Sequence, residues 1–259
     1  MVDSAPLFNV KNLMITIGNR CLVEGFSWQV RAGERWAIVG ANGCGKSSLM
    51  AAVAGLPLAG RSVQYERLQY DRDLIGTHSS QVLAQYRSVC PQRLDWNTAL
   101  TPLQLAQLMA VSQPSLHAFA NGYKVPLSWL SMPLNARSGG EQQLLALALV
   151  SAAHKSVLFA DEPLTHLDEV VQHHVLSVLG VLGVQDVSGR AADCATVMVS
   201  HHLRLSIAWA THLLMPANAQ GQWVAAEKVA LNTVSAIAAA YQISTIQAQA
   251  LLDGHLKSF

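Results

Sequence analysis

The stretch Gly40-Ala41-Asn42-Gly43-Cys44-Gly45-Lys46-Ser47-Ser48 constrains this chain more than any other segment. Its glycines let successive backbone N–H groups face a phosphate, and its lysine sets a point charge beside the terminal phosphoryl groups. The flanks fit the same reading. Trp36-Ala37-Ile38-Val39 reads as a buried strand ending at Gly40, and Ser47 to Ala54 as a helix whose N-terminal dipole favours an anion. Gly55 and Pro57 supply the stop for that helix. The sequence leaves two readings of Cys44: a small filler in the loop, or a thiol whose pKa is lowered at a helix N-terminus.

At 259 residues the chain can bury a large core as one domain, or as one domain with a small subdomain, and no repeat or low-complexity run divides it. Seventeen Lys and Arg against sixteen Asp and Glu give a net charge of +1, which provides no basic field for nucleic acid or an anionic membrane surface. Charged residues make up 13% of the chain, against a usual share of about 25%. Partner contacts and an Ala- and Gln-rich composition both account for that deficit. Cys21, Cys44, Cys90 and Cys194 are scattered without CxxC spacing, as expected of reduced thiols. Met1 to Lys11 lacks the basic head and apolar block of an export signal. The most apolar stretch, Leu144 to Ala160, is broken by His154 and Lys155, so no membrane-spanning segment is expected.

Alternation at Val10 to Ile17 and at Phe26, Trp28 and Val30 predicts two early strands joined by a turn at Gly18-Asn19. Leu58 to Val89 mixes short strand-like pieces with turn residues, and Cys90-Pro91-Gln92 marks a change of chain direction. Thr101 to Ser112 reads as a helix capped by Thr101 with Pro102 at its first position. Helix and strand then alternate: Glu141 to Ala153, Val157 to Ala160, Asp168 to Leu182 and Ala195 to Val199. This alternation predicts an α/β fold with a mostly parallel sheet covered by helices. Beyond Pro216, a strand around Gln222-Trp223-Val224 and one or two short helices complete the chain.

Asp161 and Glu162 follow four apolar residues and therefore emerge at the carboxyl end of a buried strand, the edge where open α/β sheets bind ligands. There Asp161 can hold Mg²⁺ through its water shell, with the Ser47 hydroxyl as direct ligand, and Glu162 can polarise an attacking water. The plainer reading is an acidic pair closing a strand. Ser138 and Glu141 form the Ser-x-x-Glu pattern of an ordinary capping box, while Gly139 and Gly140 between them leave N–H groups that can equally meet a γ-phosphate. His201 follows Val197-Met198-Val199 and falls on the same sheet edge, where an imidazole can hydrogen-bond a γ-phosphate. His202, His173 and His174 read as surface or packing residues.

Taken in order, the glycine-rich loop, Gln92, Ser138-Gly139-Gly140-Glu141, Asp161-Glu162, Leu164-Thr165-His166-Leu167-Asp168 and His201 resemble the ATP-binding subunit of an ABC transporter. The likeness runs from about Phe8 to Met215, with Gln92 lying 45 residues past Ser47 and Ser138 lying 23 before Asp161. It implies a P-loop ABC ATPase with a mixed, mostly parallel core sheet, an N-terminal antiparallel β-subdomain and a helical signature subdomain. As a single domain over 1–259, the core with its β-subdomain would occupy about 1–92 and 155–215. The helical subdomain would take about 93–154, and the strand and helical tail 216–259. It further implies binding of ATP and Mg²⁺ by Gly40 to Ser48, with Ser47, Gln92 and Asp161 around the metal and Glu162, His201 and Gln92 as catalytic residues. Ser138, Gly139, Gly140 and Asp168 would act across a head-to-tail homodimer with two ATP at its interface.

Separate transmembrane permease subunits are implied, at the cytoplasmic face of the inner membrane, along with a periplasmic or extracellular solute-binding protein and no nucleic acid. Pro91-Gln92-Arg93-Leu94-Asp95-Trp96-Asn97 and the tail from Thr233 to Tyr241 resemble importers of metal chelates such as iron-siderophore, haem, cobalamin, zinc or manganese systems. An exporter ATPase and a soluble ABC-type regulator share the same motifs. The chain departs from the family pattern at Ile17, where an aromatic ring usually meets adenine, at Arg137 in place of the signature leucine, at Glu141 for the common glutamine, and at Leu144 where arginine is frequent. Arg137 would either add charge near a partner's ATP or weaken the signature turn.

Overall fold

Side chains alternate across a strand, and the runs Val157 to Asp161 and Ala195 to Val199 are buried at every position, so both of their faces are covered. A computed structural model describes residues 5–70, 73–74, 80–92, 96, 98–182, 194–218, 220–230 and 233–253. Arg93, Leu94, Asp95 and Asn97 of the Pro91 to Asn97 segment lie outside the described residues, as do parts of the Leu58 to Val89 stretch and of the tail.

The chain opens with β1 (Phe8–Ile17) and β2 (Arg20–Val30), an antiparallel pair joined at Gly18-Asn19, where Gly18 takes φ 52°. β3 (Arg35–Ile38) leads into the glycine-rich loop and α1 (Lys46–Val53). β4 (Arg61–Gln64) and β5 (Arg67–Tyr70) return to pair with β1, and β6 (Asp73–Leu74) pairs with β5, building a five-stranded antiparallel sheet. α2 (Ser80–Leu83) precedes β7 (Arg87–Cys90), and α3 (Pro102–Leu108), α4 (Gln113–Gly122) and α5 (Gly139–Ala152) form a helical layer. β8 (Val157–Asp161), α6 (Glu169–Leu182), β9 (Ala195–Val199), α7 (Leu203–Trp209), β10 (His212–Pro216) and β11 (Trp223–Glu227) follow, and α8 (Thr233–Tyr241) and α9 (Thr245–Asp253) come last.

The second sheet has the order β11-β10-β3-β9-β8-β7, parallel throughout except for the antiparallel edge strand β11. Its two faces divide by parity. Trp36, Ile38, Val157, Phe159, Val197 and Val199 pack toward the antiparallel sheet, whereas Ala37, Leu158, Ala160 and Met198 pack under the helices. Phe8 sits between the sheets, 5.4 Å from Trp28 and 6.5 Å from Phe159 between ring centroids. The α/β class and the mixed, mostly parallel sheet are as expected.

One helix differs from expectation. The run from Thr101 to Ser112 is not continuous: α3 keeps the Thr101 capping box and stops at Leu108. Ala110 turns left-handed at φ 55°, and Ser112 caps a new helix with Pro114 in its first turn. A left-handed residue just past the last turn ends a helix by returning its carbonyls to local N–H groups, here Val111 N to Ala106 O at 2.8 Å.

Candidate active site

β3, β9, β8 and β7 are neighbours and parallel, so their carboxyl ends lie along one edge of the sheet. The segments that leave those ends carry, in turn, the glycine-rich loop, His201, the Asp161-Glu162 pair and Gln92. They surround a cleft of about 400 Å³ whose walls include Lys46, Ser47, Gln92, Glu162 and His201.

The loop's shape depends on glycine at two points. Gly40 takes φ 150° with Pro216 so close that a Cβ would come within 2.8 Å of its Cδ. Gly45, at the N-cap of α1, takes φ 108° and offers no side chain to the first-turn N–H groups, which therefore remain for an anion. Lys46 is only 6% exposed. Its Nζ donates to Gly40 O at 2.7 Å and to Ala41 O at 3.0 Å, and an ammonium has a third donor to spare. Burial pushes the Cys44 thiol up, against the opposing Lys46 charge. The filler reading of Cys44 holds, and the lowered thiol does not.

Ser47 Oγ donates to Asp161 Oδ1 at 3.1 Å across 114 residues of sequence. Burial raises the Asp161 pKa, the Ser47 hydrogen bond lowers it, and the neighbouring Glu162 raises it further. A hydroxyl and a carboxylate oxygen side by side, with the carboxylate short of compensation, form a donor set that suits Mg²⁺ held largely by phosphates and water. Glu162 stands at φ 51° immediately before Pro163, and proline disfavours the right-handed helical region for the residue before it. Its N–H is fixed to Val199 O at 2.9 Å. One carboxylate oxygen pairs with His201 Nε2, and the other accepts from Thr165 Oγ1 at 3.3 Å.

Ser138, Gly139, Gly140 and Asp168 do not line the cleft. Ser138 and Glu141 complete a reciprocal capping box: Glu141 N donates to Ser138 Oγ at 3.4 Å, and Ser138 N to Glu141 Oε2 at 3.0 Å. Asp168 caps α6 by accepting from Val171 N at 2.9 Å. The signature turn packs against the segment before Asp168, since a Cβ on Gly140 would lie 3.0 Å from His166 O. Arg137 folds back on its own layer, 4.7 Å from the centre of the Trp129 ring and 3.9 Å from Glu141 Oε2, with Met132 Sδ against its Nη2. Leu144 packs into the helical core.

Several contacts at the site come from residues that sequence reasoning passed over. Ala41 N donates to Ala240 O at 3.4 Å, and the buried Tyr241 hydroxyl lies beside the Gly40 backbone, so the end of α8 braces the glycine-rich loop. Burial pushes that phenol up to about 12. Gln143 of α5 reaches Cys90 Sγ at 3.5 Å, linking the signature helix to the strand that delivers Gln92. None of these pairs has a local spacing that would announce it.

The profile of the ABC transporter family matches residues 23–165, more than half of the chain. This chain belongs to the ABC transporter family. Its activity as an ABC cassette is ATP hydrolysis. Similar proteins include the hemin import ATP-binding protein HmuV of Photobacterium damsela subsp. piscicida, 28% identical over 216 residues that cover 79% of this chain and 77% of that protein. The HmuV of Streptomyces coelicolor is 30% identical over 212 residues, covering 78% and 72%. Among solved structures, CbiO1 of Clostridium perfringens, part of the ABC transporter complex CbiONQ, shares the fold with a TM-score of 0.69 at 17% identity, covering 87% of this chain and 90% of that one. So does the dimeric cassette MJ0796 bound to ADP and Pi, with a TM-score of 0.69 at 17% identity over 85% and 98%. Among the described residues of this cassette, no helix is long and apolar enough to cross a membrane.

Proposed function

We propose that this chain powers an importer of a metal chelate, haem being the leading candidate, as a Mg²⁺-dependent ATPase docked on separate membrane-spanning subunits at the cytoplasmic face. The convergence of Lys46, the Ser47–Asp161 pair and the Glu162–His201 pair at one sheet edge carries the catalytic part of this reading. The hemin import names of its relatives favour import of a chelate over an exporter or a soluble regulator.

In this mechanism the N–H groups of the loop and the first turn of α1 cradle the phosphates, and Lys46 exchanges its hold on Gly40 O and Ala41 O for the β and γ oxygens. Ser47, Asp161 and Gln92 would hold Mg²⁺, which when bound would supply charge neutralisation at those oxygens. Glu162 orients water toward the γ-phosphorus, and His201 holds the Glu162 carboxylate while offering its imidazole to the γ-phosphate. Ser138, Gly139, Gly140 and Asp168, which stand away from the protomer's own cleft, would close over the ATP of a second copy arranged head to tail. A solute-binding protein would deliver the chelate.

Glu162→Gln tests the assignment. ATP binding is expected to persist while hydrolysis falls by about 10² to 10⁴, and ATP is expected to hold two copies together, read by light scattering. Hydrolysis at the parental rate would remove Glu162 from its role. Haem-stimulated turnover in vesicles holding the permease subunits from neighbouring genes tests the cargo, and stimulation by another solute alone would displace haem.

A further inference from the structure

Three residues meet at one register of the antiparallel sheet on the far wall of the cleft. Ile17 on β1 lies directly opposite Arg20 on β2 and directly opposite Arg61 on β4. Directly paired residues of antiparallel strands share a face, and all three line the same cleft as Lys46 and Ser47. The wall is therefore an aliphatic patch flanked by two guanidinium groups.

Both groups are underused within the protein. Arg20 Nη2 donates to Gly43 O at the tip of the loop, 3.3 Å away. Arg61 Nη1 donates to Ala59 O at 3.3 Å, while its Nε is shut off from solvent and has no hydrogen-bond partner. A guanidinium has five donors and no acceptor. A nucleotide held by its phosphates on the loop would have its base within reach of this wall of the same cleft, where Ile17 and Leu22 offer apolar surface but no aromatic ring.

That wall presents donors, and purines differ in what they return. Adenine pairs its N7 acceptor with an exocyclic amino donor, whereas a 6-oxopurine offers O6 and N7 together, the acceptor pair that an arginine fork matches. Resting on the nucleotide site proposed above, we propose that the row formed by Arg20, Ile17 and Arg61 reads the base and admits 6-oxopurines, so that the chain hydrolyses GTP as well as ATP. The reaction is the same for both. Water adds to the γ-phosphorus, the bond to the bridging oxygen breaks, and nucleoside diphosphate, inorganic phosphate and a proton are released.

The test is the ratio of kcat/KM for GTP to that for ATP, taken on one preparation so that loss of folded protein cancels. A ratio near or above one is expected for the parental chain, with ITP tracking GTP because it keeps O6 and N7, and with 7-deaza-GTP falling several-fold. Arg61→Ala should lower the ratio about tenfold, and Arg61→Lys, which keeps the charge but loses the fork, should lower it as well. ATP turnover with a ratio unchanged in both variants would assign Arg61 to a base-blind phosphate contact and overturn this inference alone. Parental preference for ATP by a hundredfold would do the same. Retention of neither nucleotide in equilibrium binding overturns this inference together with the ATPase reading.

Discussion

Ser47 and Asp161, 3.1 Å apart, join the first turn of α1 to the end of β8 and keep a carboxylate under cover that the fold does not fully compensate. Asp161 is 8% exposed, and its folded pKa is raised above the ordinary carboxylate value by burial first and by Glu162 as well. The folded chain therefore binds this proton more tightly than the unfolded chain. Stability contributed by Asp161 is complete below the unfolded carboxylate pKa and is lost as pH rises through the folded one. Asp161→Asn keeps an acceptor for Ser47 and removes the charge. The nucleotide-free variant is expected to melt higher than the parent at pH 7 to 8, with the advantage shrinking toward pH 4. Each kcal/mol relieved reads as about 2–4 °C for a chain of this size. Its Mg²⁺-supported ATP turnover is expected to fall at the same time. A melting curve lower than the parent's at neutral pH would refute the sign of this effect.

The brace from α8 predicts an effect on nucleotide affinity from a residue far along the chain. Tyr241→Phe removes the hydroxyl that lies beside the Gly40 backbone and leaves the ring and the Ala41–Ala240 bond in place. A net loss of up to about 0.5–1.5 kcal/mol for one polar contact corresponds to at most roughly a two- to tenfold rise in the KM for ATP. The maximal rate should change little because no reacting atom is touched. Equal losses in kcat would show that the loop itself had collapsed.

Cys44 gives a chemical readout of the loop. Burial raises its thiol despite Lys46 and Arg20 nearby, and only the thiolate is a nucleophile. Iodoacetamide at pH 7.5 is expected to label Cys44 at least about tenfold more slowly in the native chain than in urea. A native rate at or above the unfolded one would restore the reactive-thiol reading.

How much of this was legible depended on whether the signal was local. β8 and β9 showed as short apolar runs because both of their faces are buried, and Asp161, Glu162 and His201 could be placed at one edge because each directly follows such a run. The break at Ala110 was harder to read. Apolar spacing continues through it, and the informative residues, Ser112 and Pro114, mark the start of the next helix rather than the end of the first. The row of Arg20, Ile17 and Arg61 depends on the pairing register of three strands, and the Ala41–Ala240 bond spans most of the chain. No window of sequence contains either relationship. Arg137 was ambiguous although its partners Trp129 and Glu141 are near in sequence, because which of them it meets depends on how the helical layer folds.

Ser138 separates the two uses that its sequence allowed. In the protomer its hydroxyl caps α5 and lies outside the cleft, so the cap alone explains its presence, whereas a head-to-tail dimer would bring it to the partner's ATP. Ser138→Ala should cost about 0.5–2 kcal/mol through the lost cap and therefore confounds the two. Ser138→Asn retains a capping oxygen and a near-parental melting temperature, but its longer side chain cannot occupy the same position against a phosphate. If the dimer closes there, Ser138→Asn lowers ATP turnover at least about tenfold and weakens the ATP-dependent doubling of mass in the Glu162→Gln background. Turnover at the parental rate would leave Ser138 as a helix cap and nothing more.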